Sequence, residues 1–210
     1  MSKMRDYFKK VIPAIKENYK TLIIFGIITL FVFIADIATK WIAVEMLGPL
    51  KPAPEFFGDL VNQSGGSVSI IPGFLNFTLL TNNGGAFGLG NGELWSRIVF
   101  IIISWVAFIG IFVVLTYLFT KGKKVNLLFL ISLAVINGGN IGNLIDRTFY
   151  WGTPCGVIDF IDIGPLIKGF GVFNIADAAV ICGVALMMIS FIVDWINESK
   201  EESKKSKNEK

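Results

Sequence analysis

Two aspartates lie close together near the C-terminal end of the chain, in the segments Val157-Ile158-Asp159-Phe160 and Phe173-Asn174-Ile175-Ala176-Asp177. Carboxylates held a few ångströms apart cannot easily both ionise, so such a pair retains a shared proton. One member can then act as base on a water while the other, protonated, polarises a carbonyl. The composition narrows the alternatives, because the 210 residues include no histidine. That excludes Ser-His and Cys-His nucleophile pairs, histidine proton shuttles and the usual zinc sites. A Ser/Lys pair would need a serine near Lys40, and the sequence places none there. Any hydrolytic chemistry therefore falls to carboxylates, and no metal or cofactor is expected. The residues alone leave two readings of Asp159 and Asp177 open: a catalytic pair, or solvated and helix-capping aspartates.

Other polar groups sit in apolar surroundings that make them costly. Asp36 and Lys40 are four residues apart on one predicted helix and share a face, which suits an ion pair. For Lys40 a structural role is the expectation, whereas Asp36 is equally suited to packing and to site support. The segment Asn137-Gly-Gly-Asn-Ile-Gly-Asn143-Leu-Ile-Asp146-Arg147 contains glycines at 138 and 142. That spacing lets another helix or a substrate approach closely, and its asparagines point to a polar cavity. Plain helix packing with an Asp146–Arg147 charge pair is the simpler reading.

The elements that must position these groups are membrane spans. Hydrophobic residues make up 53% of the chain and gather in long runs. Ile98–Phe119 carries no charge, and at a rise of about 1.5 Å per residue it covers a hydrocarbon core of about 30 Å. Val125–Ile145, Thr21–Leu47 and Asn174–Trp195 make three more spans. The fold expected is an all-α, up-and-down bundle of four transmembrane helices over 21–197, with a small β-containing extracytoplasmic cap. Ser67–Leu80, with its Pro72-Gly73 turn, supplies the strands. Trp95 and Arg97 are suited to anchoring a span at the interface.

Lysines and arginines set the sidedness. Six precede Thr21, three lie in 121–124 and five follow Trp195, while the two long connections hold only Lys51 and Lys168. The positive-inside rule places both termini in the cytoplasm and the long connections outside. A cleaved signal peptide is a second reading of the N-terminus, but the apolar helix runs on to Trp41 and Met46. Residues 1–20 are expected to form a basic amphipathic segment on the cytoplasmic surface, and 198–210 a disordered cytoplasmic tail. Cys182, in an apolar helical run, is expected to be a packing residue. Two further classes fit intramembrane polar residues: a small transporter or channel, and a noncatalytic scaffold. The transporter calls for polar groups across the full depth, whereas here the charges cluster at the outer ends.

Five segments, in order, resemble the lipoprotein signal peptidase (signal peptidase II) family. They are Asp36-x-x-x-Lys40; Asn82-Asn-Gly84-Gly-Ala86-Phe87; Gly142-Asn143-Leu-Ile-Asp146-Arg147; Val-Ile-Asp159-Phe; and Phe173-Asn174-Ile-Ala176-Asp177. The resemblance implies that Asp159 and Asp177 are a catalytic dyad. It also implies that Asn82, Arg147 and Asn174 hold substrate backbone or support the dyad, and that Asp36, Lys40, Asn143 and Asp146 stabilise the site from behind. Gly84, Ala86, Phe87 and Ala176 complete the matched motifs. The implied reaction is removal of the signal peptide from a prolipoprotein just before its diacylglyceryl-modified cysteine. It would take place at the outer face of the bacterial cytoplasmic membrane, with membrane lipid and prolipoproteins as partners and no nucleic acid. The sequence departs from the family in Gly85, in a longer 48–72 connection and in an insertion at 150–155.

Overall fold

In the computed structural model, residues 2–48, 64–82, 84, 94–123, 125–149 and 156–208 are described. The elements run α1 (Ser2–Glu17), α2 (Tyr19–Leu47), β1 (Ser64–Ile71), β2 (Leu75–Asn82), α3 (Leu94–Thr120), α4 (Leu127–Phe149), β3 (Val157–Asp162) and α5 (Ile175–Asn208). Four of the helices, α2 to α5, are long and apolar enough to cross a membrane.

The turn between α3 and α4 has a chemical cause. Helix α3 ends at Gly122, whose φ of 63° is one that glycine adopts without a Cβ penalty. There the Lys123 N–H bonds the Leu118 carbonyl at 3.1 Å and the Gly122 N–H bonds that of Phe119 at 3.0 Å, which closes the last turn of the helix. Asn126 then caps α4, its Oδ1 accepting the Leu128 N–H at 2.9 Å. Its Nδ2 donates to Asp194 of α5 at 2.8 Å and ties the two helices at this end.

Helix α4 is the interior helix, packed against α2, α3 and α5. Its small residues allow this. A Cβ on Gly139 would collide with the Ala176 carbonyl of α5, and one on Gly142 with the Asp36 carboxylate of α2. The glycine spacing thus serves contact between helices of this chain. At one end of the bundle Phe25, Leu115, Phe119, Leu130, Leu133 and Ala134 form an apolar core. At the other, Ala43 and Leu47 of α2 pack with Leu79, Ile158 and Phe160 of the strands.

The sheet is antiparallel in the order β1-β2-β3. Its hairpin turns at Pro72-Gly73, closed by a Phe74 N–H to Ile71 carbonyl bond of 2.9 Å. The two strands expected within Ser67–Leu80 are therefore present, as β1 and β2. The third is an addition: Val157–Asp162 pairs with β2, setting Leu80 opposite Asp159 and Asn82 opposite Val157. Phe173 in turn pairs with Ile161, with backbone bonds of 2.8 and 3.0 Å.

Two expectations differ from the structure. The tail expected to be disordered from 198 is helical to Asn208, with Glu201 and Lys205 placed four apart along the same face. Cys182 is exposed on α5 rather than packed. Replacing Gly139 with alanine should destabilise the bundle by about 1–3 kcal/mol, because its Cβ meets backbone that cannot yield. Gly110, with open space around its Cβ position, is the control. Thermal unfolding in detergent should separate the two variants, and equal melting temperatures would contradict this packing.

Candidate active site

The expected ion pair on α2 is the start of a larger buried cluster. The Lys40 ammonium, 2% exposed, lies 2.7 Å from Asp36 Oδ2 and 2.7 Å from Asp146 Oδ2 of α4. It also donates to Asn143 Oδ1 at 3.0 Å. Asp146 therefore pairs with Lys40, not with its neighbour Arg147. Carboxylate oxygens of this cluster also reach the next elements. Asp36 Oδ1 accepts the Ala176 N–H in the first turn of α5 at 2.8 Å. Asp146 Oδ2 accepts the Ile158 N–H of β3 at 3.3 Å. Two helices, the start of a third and one strand are thus joined by buried polar groups.

Asn174 is the hinge between this cluster and the paired aspartates. It caps α5: its Oδ1 accepts the Asp177 N–H at 2.9 Å, while Asp177 Oδ2 accepts the Asn174 N–H at 3.3 Å. This reciprocal arrangement is a capping box with aspartate in the third position. The Asn174 Nδ2 donates to Asp159 Oδ1 at 2.7 Å, with the Ile158 carbonyl and Asn143 Oδ1 as further acceptors at 3.2 and 3.1 Å. One fully buried side chain therefore bonds the Asp159 carboxyl and the Asp177 backbone. Asn143 completes the frame, donating from Nδ2 to Asp177 Oδ1 at 2.8 Å.

Asp159 points inward from β3 and is 2% exposed. Burial, and after it the nearby Asp177 charge, pushes its carboxyl up from 3.8 to about 8. Hydrogen bonds from Asn82 and Asn174 oppose the rise. The two readings left open by the residues meet here: Asp177 is a capping residue and is also brought beside Asp159.

Arg147 extends from the end of α4 between these groups and Gly84 beyond β2. Its guanidinium lies 5.3 Å from the Phe100 ring centre on α3, and its charge interacts with Asp177 and Asp159. Its Nη2 is 3.5 Å from the Gly84 carbonyl. Gly84 is held in turn by Asn82, whose Oδ1 accepts its N–H at 3.0 Å. Ala86 and Phe87, expected in the same loop motif, lie outside the described residues. Arg97, expected as an interfacial anchor, is instead buried, and its Nε donates to the Arg147 carbonyl at 2.8 Å. Nothing in its sequence context distinguishes it from an anchor, since the contact is made across two helices. Trp95 beside it is exposed, as an anchor would be.

Asn143 is spent on the network, Asn137 is buried, and Asn140 donates to the Ser104 carbonyl of α3 at 2.9 Å. Among the described residues, no group of three histidines, cysteines or acids could hold a metal ion.

Comparison with known proteins converges on one family. The family profile described as Signal peptidase (SPase) II matches residues 28–193. The lipoprotein signal peptidase of Listeria monocytogenes serotype 4b (strain CLIP80459) is 36% identical over 168 residues, covering 80% of this chain and 92% of the relative. That of Staphylococcus aureus (strain MRSA252) is 32% identical over 178 residues, covering 85% and 93%. A solved bacterial membrane enzyme, determined by the in meso method, is similar with a TM-score of 0.62 and 32% identity, covering 82% of this chain and 90% of its own. With four apolar helices of membrane-crossing length and a match across most of its length, this chain belongs to the signal peptidase II family of bacterial membrane proteases.

Proposed function

We propose that the chain is a membrane aspartic endopeptidase that removes the signal peptide from diacylglyceryl-modified prolipoproteins, cutting just before the lipidated cysteine. The observation that carries this reading is that Asn174 bonds both carboxyls, that of Asp159 through its side chain and that of Asp177 through its backbone N–H, with Asp159 buried and its proton retained up to about pH 8. The named relatives supply the substrate class.

In this mechanism Asp177 takes a proton from a water held between the carboxyls, and the water oxygen attacks the scissile carbonyl carbon. Asp159 gives its proton to the carbonyl oxygen, so no full oxyanion is left in apolar surroundings. As the tetrahedral intermediate collapses, Asp177 passes its proton to the departing amine nitrogen. The hydroxyl formed from the carbonyl returns its proton to Asp159, which restores the starting state. Arg147, with Asn82 at the loop, lies where it can hold substrate backbone beside the pair. Lys40, Asp36, Asn143 and Asp146 fix the elements that carry the acids. The distribution of lysines and arginines supports cytoplasmic termini and a site at the outer face of the membrane.

Expressed in a signal-peptidase-depleted bacterium, the chain should convert prolipoprotein to its shorter mature form. Asp159→Asn and Asp177→Asn should each lower cleavage by at least about 10²–10⁴-fold with the protein still in the membrane. Full processing by either variant would rule out the dyad.

The sign of the pH response follows from the raised Asp159 carboxyl. Below about pH 8 it holds the proton it must donate, and above that it loses it. With a purified lipopeptide, kcat/KM should therefore fall on the alkaline side with an apparent pKa near 8. A profile that keeps rising through that region would oppose the assignment of Asp159 as the acid.

A further inference from the structure

We propose that α1 is a docking helix for anionic phospholipid headgroups, holding that end of the bundle to the membrane surface. The family match begins at residue 28, so α1 is not part of the shared peptidase frame. Its apolar face is divided between two partners. Val11 and Ala14 are buried, and Ala14 joins the core containing Leu115 and Phe119 of α3. Ile12 and Ile15, one turn apart, are 54% and 39% exposed. Lys9 precedes Ile12 by three residues and Lys16 follows it by four, so both lysines flank the exposed isoleucine on the helix surface. Both are exposed, as is Lys10. An apolar stripe bordered by lysines fits a helix lying in a lipid interface, its isoleucines among acyl chains and its ammonium groups at phosphates.

The same end of the bundle carries two markers of headgroup depth. Tyr19 and Tyr117 are exposed, with Lys20 Nζ 6.0 Å from the first ring centre and Lys121 Nζ 5.7 Å from the second. Tyrosine rings and lysine ammonium groups gather where hydrocarbon gives way to headgroups. Since α1 joins α2 through Asn18 and packs on α3, it lies beside that level. Among the described α1 side chains only Glu17 is acidic, against Lys9, Lys10 and Lys16. This balance selects an anionic lipid over a zwitterionic one.

The test uses the full chain in nanodiscs of phosphatidylcholine, with and without phosphatidylglycerol, and follows hydrogen–deuterium exchange of the α1 amides. Phosphatidylglycerol should slow that exchange several-fold, and added salt should reverse the effect. The Lys9→Gln/Lys16→Gln variant should lose the phosphatidylglycerol dependence while its exchange in α2 to α5 and its prolipoprotein cleavage stay at wild-type levels. Equal α1 exchange in both compositions, or protection that survives in the variant, would overturn the proposal. The readout is independent of peptidase activity, so it stands or falls apart from the proposed reaction.

Discussion

A buried ammonium that must be neutralised dictates how this molecule is put together. Lys40 has no water to turn to, and its charge is met by Asp36 from its own helix and by Asp146 from α4. Removing one partner from such a cluster leaves an uncompensated buried charge, a loss of about 3–5 kcal/mol. The bundle can satisfy Lys40 only when α2 and α4 are in one register. That register brings Gly142 against Asp36 and hands the second oxygen of Asp36 to the start of α5. Asp146 reaches β3 with the same Oδ2 that meets Lys40, accepting the Ile158 N–H. Positions of the two elements that carry Asp159 and Asp177 therefore follow from the neutralisation of one charge.

The next layer trades on amide side chains, which can donate and accept at once. Asn143 accepts from Lys40 and Asn174 and donates to Asp177; Asn174 accepts from Asp177 and donates to Asp159. Neither residue adds charge, so the field that raises Asp159 comes from its burial and from Asp177. A carboxyl that keeps its proton at neutral pH beside a second carboxyl is the condition an acid–base pair requires. Asn143 holds the Asp177 carboxylate, Asn174 holds that of Asp159, and the two amides bond each other, which links the pair.

Much of this was legible in the sequence, for reasons that differ by element. The spans stand out because uncharged runs of membrane-crossing length have few other uses, as 98–119 illustrates. The Asp36–Lys40 pair follows from helical periodicity. Its third member does not: Asp146 is more than a hundred residues away and adjacent to an arginine that suggests a simpler partner. Strand β3 was hidden because six residues carrying two aspartates in an outward connection give no strand signal of their own until β2 provides an edge for them. Arg97 was hidden in the same way, by a contact made only in three dimensions. The helical end of α5 shows the limit of composition, since lysine and glutamate favour both disorder and exposed helix.

The dyad depends on Asp159 holding a proton at neutral pH while Asn174 bonds its carboxyl and that of Asp177. Infrared spectroscopy of the full-length protein in membranes, titrated from about pH 6 to pH 10, observes that proton directly. A protonated-carboxyl C=O band should fade with a midpoint near pH 8 and be missing from the Asp159→Asn variant. A spectrum without such a band, or one left unchanged by Asp159→Asn, would contradict the account.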